Sequence, residues 1–131
     1  MKFNINILYW IAMALLALSF AYMRGWILTD FPSVSAKQAY TMIKSDDNIT
    51  LLDVRTQAEY NYGHIKGATL IPLDKLQDNL SKLSKEKKIV VYCQSGNRSI
   101  KASRLLEKNG YLPINLKGGY LAWRREGLDK R

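Results

Sequence analysis

Apolar positions along the chain fall into three kinds of run. The first is long and uninterrupted, with Ile7 to Met23 almost wholly apolar. The second is short and continuous. "ITLLDV" (49–54) and "KIVVYC" (88–93) are partly β-branched and predict strands buried on both faces. "ATLIPL" (68–73) predicts a strand ending in a turn at Pro72, and "PINLKGG" (113–119) a last strand and turn. The third kind has helical spacing: Leu73, Leu76, Leu80 and Leu83 predict one helix over 73–83 with a single apolar face. A further helix is expected from Ser99 to Asn109, with Ile100, Ala102, Ser103 and Leu106 inward and Gly110 closing it. Ser35-Ala-Lys-Gln38 and Thr56-Gln-Ala-Glu59 have the capping-box pattern, in which a hydroxyl and an acid or amide three residues on satisfy each other's backbone N–H. The first box opens a helix through about Ile43, the second a short one stopping at Gly63, and Tyr120 to Glu126 make a last short helix. Strands alternating with helices predict an α/β fold, an open, mainly parallel sheet flanked by helices.

The front end does not fit that pattern. Between Lys2 and Arg24 lie 21 residues without a charge. As a helix they span about 31 Å, close to the roughly 30 Å hydrocarbon core of a bilayer. Tyr9, Trp10, Tyr22 and Trp26 lie towards its ends, where aromatic side chains anchor at membrane interfaces. Residues 3–25 are therefore expected to form one transmembrane helix, 26–32 a linker, and 33–131 the globular domain. This makes a single-pass membrane protein whose orientation is open, since Lys2 on one side and Arg24 and Lys37 on the other give too small a bias. The alternative is export as a soluble product after cleavage near Ala21, because Ser19-Phe20-Ala21 places small residues as a signal peptidase requires.

Charge changes the picture little. Twenty Lys and Arg against eleven Asp and Glu give +9, but the cations are spread over the chain and interleaved with acids. No nucleic-acid motif accompanies them, and a solvated basic surface is expected. One cysteine and one histidine exclude an internal disulfide and a Cys/His zinc site. No metal or cofactor is expected.

The one cysteine stands within "VVYCQSGNRSI" (90–100), at the carboxyl end of the central-looking strand. Ligands gather there in open α/β sheets. A loop of backbone N–H groups leading into a helix N-terminus is a concave anion site, which favours a thiolate at Cys93 and makes it a nucleophile. Gly96 allows the chain to fold back around the sulfur, and Arg98 adds a fixed positive charge for an incoming oxyanion. A lone free thiol is otherwise most often an inert core residue.

Cys93-Gln94-Ser95-Gly96-Asn97-Arg98-Ser99 resembles the active-site loop of single-domain rhodaneses, the thiosulfate sulfurtransferase-like domains. "LLDVRTQAEYNYGHIKGATLIPL" (51–73) and "GGYLAWRREGL" (118–128) resemble two further signatures of that family, so that the likeness covers about 33 to 131. The resemblance implies a rhodanese-like sheet and a sulfurtransferase in which Cys93 is the catalytic residue, carrying sulfane sulfur as a persulfide. Gln94, Ser95, Gly96, Asn97, Arg98 and Ser99 would bind the substrate, with Ser99 opening the helix. The implied partners are a thiosulfate-like anion as donor and a thiol as acceptor, with no nucleic acid. Asp53 and Arg55 match the family's Asp-Val-Arg and are expected near the pocket as an ion pair or loop brace. His64 and Trp123 are expected to be structural. The six-residue loop from Cys93 to Arg98 matches the sulfurtransferase branch rather than the phosphatase and arsenate-reductase relatives, whose loop is one residue longer. The alternative class is a non-catalytic rhodanese-like module that regulates or binds a partner.

Overall fold

The computed structural model describes residues 4–24 and 31–130. Most of the expected linker, 26–30, lies outside the described residues. The first element, α1 (Ile5–Met23), is capped by Asn4, whose side chain accepts from the Asn6 N–H, and buries none of its residues. It is long and apolar enough to cross a membrane.

After it, helices and strands alternate as β1 (Ser33–Val34), α2 (Ala36–Ser45), β2 (Ile49–Asp53), α3 (Gln57–Tyr62) and β3 (Thr69–Leu70). There follow α4 (Leu73–Leu76), β4 (Lys88–Tyr92), α5 (Asn97–Lys108), β5 (Leu112–Leu116) and α6 (Gly119–Arg125). The five strands form one sheet in the order β1-β5-β4-β2-β3 with every pair parallel. The strand that leads to Cys93 is the central one. In register, Asp53 at the end of β2 lies opposite Tyr92 at the end of β4, so the segments after both strands emerge side by side.

Period-two alternation sorts the strand residues onto two apolar layers. Leu51, Val90, Tyr92, Ile114 and Leu116 pack with Ala36, Ala39, Tyr120 and Trp123 from α2 and α6. Leu52, Ile89, Val91 and Cys93 face the other way, against Leu76, Ala102 and Leu106 from α4 and α5. Both faces are covered, as an all-parallel sheet requires.

Both capping boxes are present, at Ser35/Gln38 and Thr56/Glu59. Three expectations are corrected. The leucine-patterned stretch is not one helix: α4 passes into a 3-10 helix, Gln77–Lys82, with Asn79 at φ −120°. There the Asn79 side chain donates to the Lys75 carbonyl at 2.7 Å and competes with the helical ladder. Leu76 and Leu83 are buried all the same, which is why the apolar spacing could not reveal the break. The strand expected over 68–73 pairs only at Thr69–Leu70. Finally, α5 opens at Asn97 rather than Ser99, because Gly96 at φ +109° turns the chain in place of a side-chain cap. The Ser99 hydroxyl instead donates back to the Gly96 carbonyl at 3.2 Å.

Candidate active site

Cys93 follows β4 directly and keeps that strand's alternation, so its side chain points under the loop towards α5 and is 1% exposed. The Gly96 N–H donates to the sulfur at 3.1 Å, and the Ser99 hydroxyl lies 3.6 Å from it. Directly after that N–H the chain turns through the left-handed region at Gly96, φ +109°, to enter α5, and a Cβ there would lie 3.3 Å from the Gly118 nitrogen, which is why glycine stands at this position.

Two backbone contacts hold the base of the loop from behind. The N–H groups of Tyr120 and Leu121, in the first turn of α6, donate to the carbonyls of Cys93 and Gln94 at 2.8 and 3.1 Å. The approach leaves no room for a side chain at Gly119: a Cβ there would lie 2.3 Å from the Cys93 carbonyl oxygen. The Gly-Gly pair of 118 and 119 is thus part of the site. Its signal was in the sequence, but only the fold shows which backbone it meets.

A buried ion pair holds the loop from the side. Arg55 and Asp53 are 2% and 0% exposed and joined at 2.7 Å between Nη2 and Oδ2, with Nε donating to both carboxylate oxygens. The remaining donors of Arg55 reach the Gly63 carbonyl at 2.7 Å and the Gln94 Oε1 at 3.0 Å. The guanidinium also lies 4.5 Å from the centre of the Tyr120 ring. Burial disfavours its charge, but hydrogen bonds to Asp53 and that carboxylate's charge outweigh burial and hold the guanidinium above its ordinary value. Asp53 and Arg55 thus form a buried ion pair, and Gln94 is the loop residue that Arg55 meets. Burial, with the Asp53 charge adding to it, likewise pushes the Tyr92 phenol far up, and this neutral hydroxyl accepts from the Ile65 N–H.

Arg98 is placed differently from the sequence expectation. It does not stand free to receive an oxyanion: its Nη1 and Nη2 donate to the two carboxylate oxygens of Glu59 at 2.7 and 2.8 Å. Hydrogen bonding to Arg98 holds the Glu59 carboxyl at about 2, below its ordinary 4.5, and the same bond raises the Arg98 guanidinium. Glu59 is also the acid of the second capping box, accepting from Thr56. Sequence reasoning assigned it to the helix cap and missed its second contact, 39 residues away along the chain. Ser95 and Asn97 are exposed on the loop, and Gln94 is partly buried. His64 stacks on Tyr60 with its Nδ1 2.8 Å from the Tyr60 carbonyl, and Trp123 is buried with Nε1 donating to Asp129, so both are structural. Among the described residues, no cluster of three His, Cys, Asp or Glu groups is placed to hold a metal.

The arrangement presents a buried thiol with a backbone donor, on a loop braced from three sides. Known proteins share this chain's sequence and fold. The rhodanese-like domain family matches residues 35–126. A sulfurtransferase of Allochromatium vinosum is 37% identical over 100 residues, covering 76% of this chain and 89% of that protein. A putative sulfurtransferase of Bacillus subtilis is 30% identical, with 77% and 98% covered. The crystal structure of a rhodanese-like domain protein from Staphylococcus aureus superposes with a TM-score of 0.68 at 33% identity, over 71% of this chain and 91% of that one.

Proposed function

The chain belongs to the rhodanese-like domain family, and on that premise we propose that it is a sulfurtransferase carrying sulfane sulfur on Cys93. Sulfur transfer in general is the role its sulfurtransferase relatives support. The observation that carries the finer reading is the Cys93 sulfur beneath a six-residue loop, 3.1 Å from the Gly96 N–H. That donor is placed to hydrogen-bond the persulfide sulfur left after reaction.

The first half-reaction forms a bond from the Cys93 thiolate to the outer sulfur of thiosulfate. The sulfur–sulfur bond of the donor breaks, its electron pair leaves with sulfite, and a Cys93 persulfide anion remains. In the second, an acceptor thiol loses its proton to that persulfide anion, and its sulfur bonds the outer sulfur. The bond to Cys93 breaks, Cys93 returns as thiolate, and the acceptor departs as a hydropersulfide. Gln94 to Ser99 line or support the loop. Asp53 and Arg55 are positioning residues acting through Gln94.

Phosphoryl chemistry is disfavoured by two features. The loop is one residue shorter than in phosphatase relatives, and the cation that would meet equatorial phosphoryl oxygens is already bonded by Glu59 on both of its terminal nitrogens. We further propose that α1 is retained and tethers the domain to a membrane.

The experiment is the intact mass of the full chain after thiosulfate. It should rise by one sulfur atom, return to its original value with cyanide as thiocyanate forms, and stay unchanged in Cys93→Ser. A wild-type mass that does not change overturns the enzyme reading and leaves the partner-binding module.

A further inference from the structure

A cavity of about 410 Å³ lies on the outer side of the loop, where Gly96 and Asn97 meet the ends of β1 and β5 and the last residue after α1. Its polar lining comprises Arg24, Ser33, Ser95, Asn97, Asn115 and Lys117. Two of these are cations, and no carboxylate among the described residues lines it. Arg24 spends one nitrogen on the Asn97 Oδ1 at 2.9 Å. Lys117 is exposed and is in none of the ion pairs formed among the described residues.

Asn115 supplies an independent observation. It is 3% exposed, and its Nδ2 donates to the Ser33 Oγ at 3.3 Å, while its Oδ1 has no partner. Buried polar atoms are almost always hydrogen-bonded, and an orphaned carbonyl marks a missing donor. The site therefore has room, a surplus of positive charge, and one buried acceptor in need of an N–H.

We propose that this cavity is a second binding site that holds the amino-acid end of a small thiol: its carboxylate between Arg24 and Lys117, its amine or amide N–H towards Asn115. The identification of the ligand as a thiol rests on the sulfur-transfer reading, since an acceptor must be held beside the loop that carries the sulfur. Gly96 is shared: its N–H meets the Cys93 sulfur on one side while the residue lines the cavity on the other. An acceptor bound there is held next to the reacting loop, and a neutral thiol without a carboxylate is not.

The test uses the full chain in detergent micelles and S-methylcysteine, which cannot accept sulfur, so binding is read apart from transfer. Amide resonances of Gly96, Asn115 and Lys117 should shift saturably. Lys117→Gln and Arg24→Gln, both at exposed positions, should each weaken the affinity about tenfold, the loss of one charge-assisted contact of about 1.4 kcal/mol. 3-(Methylthio)propionate, which lacks the amine, should bind at least fivefold more weakly. Three results each overturn the proposal: no saturable shift, affinity indifferent to both substitutions, or acetate and inorganic phosphate binding as tightly as S-methylcysteine. The mass gain at Cys93 with thiosulfate is measured on the same sample, so failure of the cavity site and failure of the sulfur-transfer reading remain distinguishable.

Discussion

Glu59 serves two structures at once, closing the capping box of α3 and receiving both terminal nitrogens of Arg98 from the first turn of α5. The pair is about one-third exposed, so solvent screens it, and its weight lies in joining the loop to a neighbouring helix. Its pH dependence has a definite sign. In the folded protein the Glu59 carboxyl titrates at about 2, against an ordinary 4.5. A carboxyl held low stabilises the fold at every pH above its ordinary value, and that stabilisation is lost as pH falls from 4.5 towards 2. Glu59→Gln should therefore lower the urea midpoint at pH 7, and the gap from the unsubstituted protein should close between pH 4.5 and pH 2. A gap of constant size over that range would show that the carboxylate charge contributes nothing to folding.

At the scale of elements, the loop is held by what comes after it in the chain. The first turn of α6 donates two N–H groups to the carbonyls that flank the loop's start, and Gly119 sits at φ +59° with no space for a Cβ. Gly119→Ala must either push α6 away or move the Cys93 carbonyl. The expected cost is about 2–4 kcal/mol from strain and lost hydrogen bonds, read as a lower thermal midpoint, together with slower sulfur loading of Cys93. Gly67→Ala is the control: its φ is also positive, at +86°, but nothing lies within 4 Å of the added methyl, so only the smaller backbone penalty applies. Equal losses in the two variants would rule out the close approach as the cause.

The same comparison shows what was legible along the chain. Short continuous apolar runs located β2 and β4 to within a residue, the start of β5 fell equally close, and the capping boxes located the starts of α2 and α3, because each is written in neighbouring residues. The place of Cys93 at the carboxyl end of the central strand was legible too. Contacts between distant segments were not legible. Arg98 with Glu59, Arg55 with Gln94 and Gly119 with the Cys93 carbonyl join parts that only the sheet order brings together, and no local spacing encodes them. The start of α5 differs from the expected Ser99 for a related reason: a glycine at φ +109° caps by backbone geometry, whereas the serine three residues later only has the residue type of a cap.

At the scale of the whole molecule, α1 is the element that the fold leaves uncovered. Its 19 residues form an apolar helix with no buried residue, about 28 Å long, so the fold itself offers it no core. Its end nonetheless meets the domain: the Tyr22 carbonyl accepts from Arg104, whose guanidinium lies over the Tyr22 ring, and Arg24 donates to Asn97 of the loop. A helix spanning a bilayer up to Met23 would thus place the loop at the membrane surface, where headgroups replace hydrocarbon. Cleavage before Tyr22 would leave Tyr22 and Arg24 on the mature chain and preserve these contacts. Fractionation distinguishes an anchor from a signal peptide. If α1 is the anchor, full-length protein stays with membranes through an alkaline carbonate wash, and N-terminal analysis of that fraction finds the Met1 end. Replacing Leu15 and Leu16 in mid-helix by arginine should release it, since each central arginine costs about 2.5–3.5 kcal/mol on insertion scales. A soluble chain beginning at Tyr22 would establish export and cleavage instead, and would place the thiol of Cys93 on a domain free to diffuse to its donor.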